Sequence, residues 1–215
     1  GVWGCFSQDL TDRVASVPGI DRMTLRTREY IDAAPAAAGL ASGGEDATPA
    51  KPFVRIEVTG IIPERELEFF SYKLAAGRFL QAGDRNVLLI EQLLAQEFKL
   101  AVGDTILLRH HLPPQPVQRY TIVGVVDRRR ASANQAMMTW GNLPDVQALC
   151  KLPRMVKSID IMVADPAPAN IARIAGEIQS IIEAHNRALK ERGGEKESTI
   201  VKTTEAQHQK LGAAQ

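Results

Sequence analysis

Four short apolar runs dominate the middle of the sequence: VRIEV at 54–58, VLLI at 87–90, TILL at 105–108 and YTIVGVV at 120–126. The first run alternates apolar and polar side chains, which is typical of a strand with one face in water. Turn-forming residues such as Gly103-Asp104 separate the runs, residues 91–100 favour a helix, and residues 67–74 fit either a helix or a strand. The stretch from 55 to 126 therefore predicts a small, mainly β module with one helix.

The segments on either side of this module are richer in helix. Ser7 can cap a helix that carries Leu10 and Val14 on one side and that Pro18-Gly19 ends. After a strand-like run at 159–163, the isoleucines of 168–192 keep a helical period and predict the longest helix. Because helices and strands alternate here with short connections, we predict an α+β fold with helices on one face of a sheet.

A change in composition marks the division into domains. Residues 33–51 are Ala, Gly, Pro, Ser and acidic residues without an apolar period, which predicts a flexible linker. We therefore predict an inserted subdomain at 52–126, and a body made of residues 1–51 and 127–215. The segments near Lys51-Pro52 and at 127–134 are the predicted hinges.

Composition limits the classes of partner. The 215 residues include 26 basic and 25 acidic ones, and a net charge of +1 creates no field that would attract nucleic acid.

No apolar run approaches the roughly 20 residues of a membrane span. The apolar and aromatic residues at 1–6 are what a cut within a longer protein would leave. Cys5 and Cys150 lack metal-site spacing, and either a disulfide or two buried thiols fits them.

The sequence lacks the patterns of common active sites. There is no nucleophile-elbow, phosphate-loop or dinucleotide-binding motif. His110 and His111 are adjacent, so on a strand they would point to opposite faces and could not easily share a metal ion. Asp84, Asp127 and Asp160 stand at predicted strand ends without a local partner. We therefore expect no enzymatic activity, no metal and no cofactor.

One loop has the character of a docking element. Residues 110–116 read HHLPPQP, which predicts a hairpin loop stiffened by prolines with Leu112 at its tip. The candidate partner-binding residues are those of the loop itself: His110, His111, Leu112, Pro113 and Pro114. The alternative for the same residues is a solvated hairpin rim that binds nothing.

Several motifs follow one another in a recognisable order: AGRF at 76–79, VLL at 87–89, LAQEFKL at 94–100, VGDTI at 102–106 and YTIVGVV at 120–126. VPGI at 17–20 and LPDVQAL at 143–149 flank them. Together they resemble the extracytoplasmic domain of ABC-transporter permeases of the MacB/FtsX type, a group that includes the lipoprotein-releasing permeases. The resemblance covers most of the chain.

This resemblance implies a fold and a setting. The fold would be a porter-like α/β subdomain interrupted by an inserted β-rich part, often called Sabre. The domain would lie between two membrane helices, on the periplasmic side of the cytoplasmic membrane. Its partners would be its own transmembrane helices, a cytoplasmic ATPase subunit or domain, a second copy in the full transporter, and a periplasmic protein or lipoprotein.

The function implied is mechanical and non-catalytic. The domain would transmit an ATP-driven conformational change to a substrate or partner outside the membrane. In lipoprotein-releasing relatives a hairpin hooks a periplasmic carrier, and here that position is residues 110–118. The alternative function is a free-standing β-rich extracytoplasmic binding or adaptor module that holds a ligand in the region 54–126.

Overall fold

A computed structural model describes residues 2–36, 52–110, 116–127, 137–192 and 198–201. The chain divides into two compact units. We call the first the terminal unit, because it combines Gly1–Arg26 with Arg154–Gln215, and the second, Thr27–Pro153, the central unit.

The described residues form ten strands and five helices, so the predicted α+β class is confirmed. The strands are β1 (Val2–Ser7), β2 (Ile20–Pro35), β3 (Val54–Ile61), β4 (Leu74–Gly77), β5 (Val87–Glu91), β6 (Thr105–Arg109), β7 (Gln118–Val126), β8 (Met138–Asn142), β9 (Met155–Val163) and β10 (Ser198–Val201). The helices are α1 (Gln8–Ala15), α2 (Pro63–Phe69), α3 (Gln92–Phe98), α4 (Leu143–Leu149) and α5 (Pro168–Glu191).

The terminal unit is an antiparallel sheet with two helices. Its strand order is β10–β1–β9–β2, and β2 takes part through residues 20–26. Ser7 caps α1 as predicted, since its Oγ accepts a hydrogen bond of 3.0 Å from the backbone N–H of Asp9. Helix α5 packs against α1 and buries Ile174, Ile178 and Ile182, which are spaced four residues apart on one face.

The central unit is built on a closed ring of strands. Residues 27–35 of β2 pair with β3 on one side, and the last four of them pair with β6 on the other. The ring then runs β3–β8–β5–β7–β6, with parallel pairs at β3–β8 and β5–β7. Closure gives each of these strands two neighbours, which removes exposed sheet edges.

Apolar side chains fill the interior of this barrel. They come from the ring strands and from α3 and α4, and include Ile31, Ile56, Leu88, Leu94, Phe98, Ile106, Tyr120, Ile122 and Val146. A second cluster lies on the other face of β5, β7 and β8, where the segment containing α2 and β4 packs through Tyr72 and Phe79 against Trp140. The burial of so many aliphatic side chains is the main source of this unit's stability, because it removes apolar surface from water.

Two features differ from the sequence-based predictions. The predicted linker began at residue 33, but Ala33, Ala34 and Pro35 are buried in β2, because small side chains fit between β3 and β6 there. The rest of that linker, residues 37–51, lies outside the described residues. The central unit also begins and ends elsewhere than at 52 and 126. It includes β8 and α4 because β8 pairs with β3, about 80 residues earlier in the chain.

Candidate functional site

Three of the sequence motifs meet at one place in the central unit, beside a bulge in β7. The register between β5 and β7 shifts so that Val123 is skipped. The N–H of Arg78 donates to the carbonyl oxygen of Val123 at 2.9 Å. The N–H of Gly103 donates to the carbonyl oxygen of Ile122 at 2.8 Å. The N–H of Ile122 donates to the carbonyl oxygen of Asp104 at 2.9 Å. Backbone groups therefore hold this junction together.

Glycine is required at the junction because two backbones cross closely. A Cβ on Gly77 would lie 2.3 Å from the carbonyl oxygen of Val123, and a Cβ on Gly124 would lie 2.3 Å from that of Arg78. Gly77 also has φ of +75°, a conformation that strains other residues. The motifs AGRF and YTIVGVV thus have a structural explanation: they place glycines where any side chain would separate the strands.

A shallow apolar pocket opens at this junction. It has a volume of about 440 Å³ and is lined by residues from β4, β7 and the turn before β6, namely Gly77, Arg78, Val102, Gly103, Thr121, Ile122 and Val123. Val102 is 43 % exposed there. Arg78 is the one titratable residue of the lining. The pocket can therefore hold an apolar group, and Arg78 and Thr121 are the polar side chains of its lining.

Arg78 forms an ion pair with an acidic side chain, and the sequence did not predict this pair. Its guanidinium donates two hydrogen bonds to the carboxylate of Asp84, at 2.7 and 2.9 Å. The backbone N–H of Gln81 donates to the same carboxylate at 2.9 Å. The hydrogen bond from Arg78 lowers the pKa of Asp84, despite the opposing effect of burial, and the same bond raises the pKa of Arg78.

Asp84, Asp127 and Asp160 each have a basic partner, and the expectation that none has a local one was wrong for Asp84 alone. Asp84 binds Arg78, Asp127 lies 2.6 Å from the ammonium of Lys73, and Asp160 lies 3.8 Å from the guanidinium of Arg26. Only the first pair is close in sequence, at a separation of six residues. An Arg and an Asp on either side of a Gly-containing turn were the signal that could have revealed it.

The motif VPGI of the terminal unit forms a tight turn against side chains of α5. Arg173 on α5 donates to the carbonyl oxygen of Pro18 at 3.0 Å. A Cβ on Gly19 would lie 3.1 Å from both the Arg173 guanidinium and Ile174, and Gly19 has φ of +96°. This motif therefore fixes the turn between α1 and β2 to the first turns of α5.

The predicted docking hairpin is described only at its base. Strands β6 and β7 pair antiparallel, with Leu108 opposite Gln118, so the two residues that flank the loop lie at the same end of the barrel. His110 follows β6 directly and is half-buried. His111, Leu112, Pro113 and Pro114 lie outside the described residues. The role of this hairpin in binding a partner stays a prediction.

The remaining candidate groups do not assemble into a site. His185 lies on α5 and is half-buried, and His208 lies outside the described part of the chain. Cys5 is half-buried in β1 and Cys150 is buried at the end of α4. Within the described ranges, no three His, Cys, Asp or Glu side chains come close enough together to hold a metal ion.

The whole chain is similar to known transporter domains. The sequence model of the MacB-like periplasmic core domain matches residues 6–181, which is most of the chain. The protein belongs to this family. The match extends through both units, and it identifies the chain as a MacB-like periplasmic domain of the ABC-transporter permease family.

Two solved structures share the fold of this MacB-like domain. One is the extracellular domain of the noncanonic ABC-type transporter YknZ from Gram-positive bacteria, with a TM-score of 0.61, 12% identity, and coverage of 94% of this chain and 100% of that one. The other is the periplasmic region of MacB from Actinobacillus actinomycetemcomitans, with a TM-score of 0.58, 12% identity, and coverage of 98% and 91%. No curated protein sequence gave a significant match.

The position of the domain outside the cytoplasm follows from the family to which it belongs. None of the helices in the described ranges is both long and apolar enough to cross a membrane. Helix α5 is the longest at 24 residues, but it carries charged side chains throughout and buries only one face.

Proposed function

We propose that this domain transmits an ATP-driven conformational change from the membrane part of an ABC permease to a substrate or partner on the extracytoplasmic side. The observation that supports this most is the family match over residues 6–181, because it includes the elements of both compact units. The ATP itself would be hydrolysed by a separate cytoplasmic subunit or domain, and the permease would sit in the cytoplasmic membrane.

The division into two units suits a mechanical role. Each unit has its own buried core, and a rigid core can carry a displacement without deforming. The chain passes from the terminal unit to the central unit at residues 26–27, and returns at 153–154. We propose that these two passages, rather than the predicted hinges near 51 and at 127–134, are where the chain bends. The terminal unit would be the porter-like part and the central unit the Sabre-like part.

The alternative function, an adaptor that holds a ligand in the region 54–126, has the shallow pocket beside Gly77 and Val102 as its support but lacks an interior cavity. A barrel that binds a small ligand keeps an interior cavity. Here the inward side chains of the ring, such as Ile56, Leu88 and Ile122, are completely buried in one packed cluster. A docking role for His110, His111, Leu112, Pro113 and Pro114 is compatible with the mechanical function, since β6 and β7, which flank this loop, belong to the barrel.

An insertion in the full-length permease, assembled with its ATPase, tests the mechanical role. Two flexible residues, Gly-Ser, inserted between Pro153 and Arg154 should make the connection from the central unit back to the terminal unit flexible. We expect ATP hydrolysis to continue while transport falls strongly, because displacement would no longer be passed on. The matched control is the same insertion between Phe70 and Ser71, two exposed residues of the loop after α2 within the central unit, which should leave transport unchanged.

Equal transport by the wild type and the 153/154 insertion would contradict the mechanical role. Fractionation of the full-length protein tests the alternative directly. A permease stays in the membrane fraction after a high-salt or alkaline wash, whereas an adaptor would be released into the soluble fraction.

A further inference from the structure

We infer that the outer face of β2, β3 and β6 is a docking surface for an acidic polypeptide segment. We call it the arginine–tyrosine face, and it consists of Arg28, Tyr30, Asp32, Arg55, Glu57 and Arg109. The inference goes beyond the proposed function, because binding at this face does not depend on whether the domain transmits movement.

Strand alternation places these side chains together on one side of the sheet. Arg28, Tyr30 and Asp32 alternate along β2, and the residues between them include Ile31, whose side chain is buried in the barrel core. In the register, Asp32 lies opposite Arg55 of β3 and opposite Arg109 of β6. Tyr30 lies opposite Glu57 of β3. The face therefore extends across three neighbouring strands, with its polar side chains pointing away from the core.

The arginines stand outward while their acidic partners are recessed. Asp32 lies 3.8 Å from the guanidinium of Arg55 and 3.5 Å from that of Arg109, and its side chain is only 20% exposed against 57% and 41% for the two arginines. Arg28 lies 3.2 Å from Glu57, with 43% exposure against 11%. Three guanidinium groups thus face solvent over two covered carboxylates, which makes this surface positive although the chain as a whole is nearly neutral.

The ion pairs also hold the guanidinium groups in place. The guanidinium carbon of Arg109 lies 3.9 Å from the centre of the Phe53 ring, so a cation–π contact fixes it from below while Asp32 holds its Nε. An arginine that is already ordered loses less conformational entropy when it binds a partner.

Tyr30 supplies the apolar part of the surface. Its side chain is 50% exposed, the second largest value among the exposed large apolar and aromatic residues described. Arg28 lies two residues before it on the same face, and Glu57 lies opposite on β3. Tyr and Arg are the residues most enriched at the centres of protein–protein interfaces, because they combine large contact area with hydrogen bonding.

The spacing of the charges favours a polypeptide over a single phosphate group. Arg55 and Arg109 lie on strands that are two apart, which corresponds to about 10 Å, and Arg28 lies four residues from Asp32 along β2, or roughly 13 Å. One phosphate could not reach Arg28 as well as Arg55 and Arg109, which both flank the carboxylate of Asp32. Interleaved carboxylates also disfavour nucleic acid, which requires a continuous basic footprint. A chain with several Asp or Glu side chains can reach all three arginines.

A peptide titration tests the inference. The probe is hexaglutamate, added to the ¹⁵N-labelled chain at low salt and followed by amide chemical shifts. We expect shifts concentrated at residues 28–32, 54–57 and 107–109. In the double variant Arg28→Ala/Arg55→Ala, binding should weaken about fivefold, as the loss of two exposed ion pairs predicts. The double variant Arg28→Lys/Arg55→Lys keeps the charges and should lose less affinity for hexaglutamate.

The matched control is Arg85→Ala/Arg154→Ala, which removes the same charge from two exposed arginines elsewhere. It should bind hexaglutamate within twofold of the wild type. The inference would be overturned if both double alanine variants bound hexaglutamate equally weakly, or if the chemical-shift changes were spread over the whole surface. Tighter binding of tripolyphosphate or of phosphatidylglycerol vesicles at the same residues would also overturn it, because the partner would then bear phosphate. Thermal melting of each variant by circular dichroism verifies that it is folded.

Discussion

Glycines of the two units stand in opposite surroundings at Gly176 in the terminal unit and at Gly77 and Gly124 in the central unit. In the terminal unit, Gly176 lies within α5, and a Cβ placed there would meet none of the described atoms within 4 Å. In the central unit, a Cβ on Gly77 or Gly124 would overlap a backbone oxygen. The terminal unit is therefore held by side chains between helices and sheet, whereas the central unit also depends on close contact between backbones. Three of the recognisable motifs, AGRF, VGDTI and YTIVGVV, meet at this backbone contact.

The largest effect is expected from Gly124→Ala. The new Cβ would lie 2.3 Å from the carbonyl oxygen of Arg78 and 2.8 Å from Leu89, so β7 and the 77–79 segment must separate. We expect a loss of about 3 kcal/mol or more in the free energy of unfolding, measured by urea denaturation.

Gly176→Ala is the matched control in the other unit. It places the same methyl group in open space on a helix, so it should stabilise the chain by about 0.5–1 kcal/mol. If both alanine variants changed stability by the same amount, the contrast between the two units would be lost.

Core truncations probe whether each unit has its own core. Leu88→Ala in the barrel and Ile178→Ala on α5 should each cost about 3 kcal/mol, because both side chains are buried. Hydrogen exchange measured by mass spectrometry should report faster exchange mainly in the unit that carries the substitution. Uniform acceleration over both units after either substitution would indicate one shared core.

A smaller, pH-dependent effect is expected from Asp84→Asn. The carboxylate accepts hydrogen bonds from Arg78 and from the backbone of Gln81, and its loss should cost about 1 kcal/mol at neutral pH. Because the pKa of Asp84 is lowered in the folded chain, its contribution is complete above the unfolded pKa, about 3.9, and disappears as the pH falls through the folded pKa. Urea denaturation between pH 2 and 7 should therefore show the two proteins converging in acid. A constant difference would exclude the ionised pair as the cause.

The smallest effect is expected from the exposed pair of the terminal unit. A hydrogen bond from Arg154, 2.6 Å from the carboxylate, lowers the pKa of Asp9. In Arg154→Ala, the pKa of Asp9 should return toward its usual value, as NMR titration would measure. Thermal stability should not change measurably, because solvent screens the pair. A clear fall in melting temperature would mean that the pair contributes more than a surface contact.

Local patterns predicted the elements better than their assembly. The cap at Ser7, the helix over α5 and the strands with apolar alternation follow from residues within one or two turns of each other. The pairing of β8 with β3 joins residues about 80 positions apart, and no local pattern encodes it. Ala33 and Ala34 looked like linker because small side chains lack a hydrophobic signal, although the barrel requires them to be small.

The two candidate docking sites, both of which stay proposals, differ in how visible they are in the sequence. The hairpin at 110–116 stands out through its prolines, which are visible in the sequence alone. The arginine–tyrosine face does not, because Arg28, Arg55 and Arg109 come together only through the register of three strands. Charged residues that alternate with apolar ones along a strand predict a wet face, but they do not reveal which other strands share it.

The most direct test of the account is which side of the membrane this domain faces in its full-length parent. A single cysteine at the exposed position Ala82, in a background carrying Cys5→Ser and Cys150→Ala, would be treated in intact cells with a maleimide that cannot cross the cytoplasmic membrane. Labelling of Ala82→Cys before lysis, at the same level as after lysis, is the result that an extracytoplasmic permease domain predicts. Labelling that appears only after the membrane is opened would contradict it.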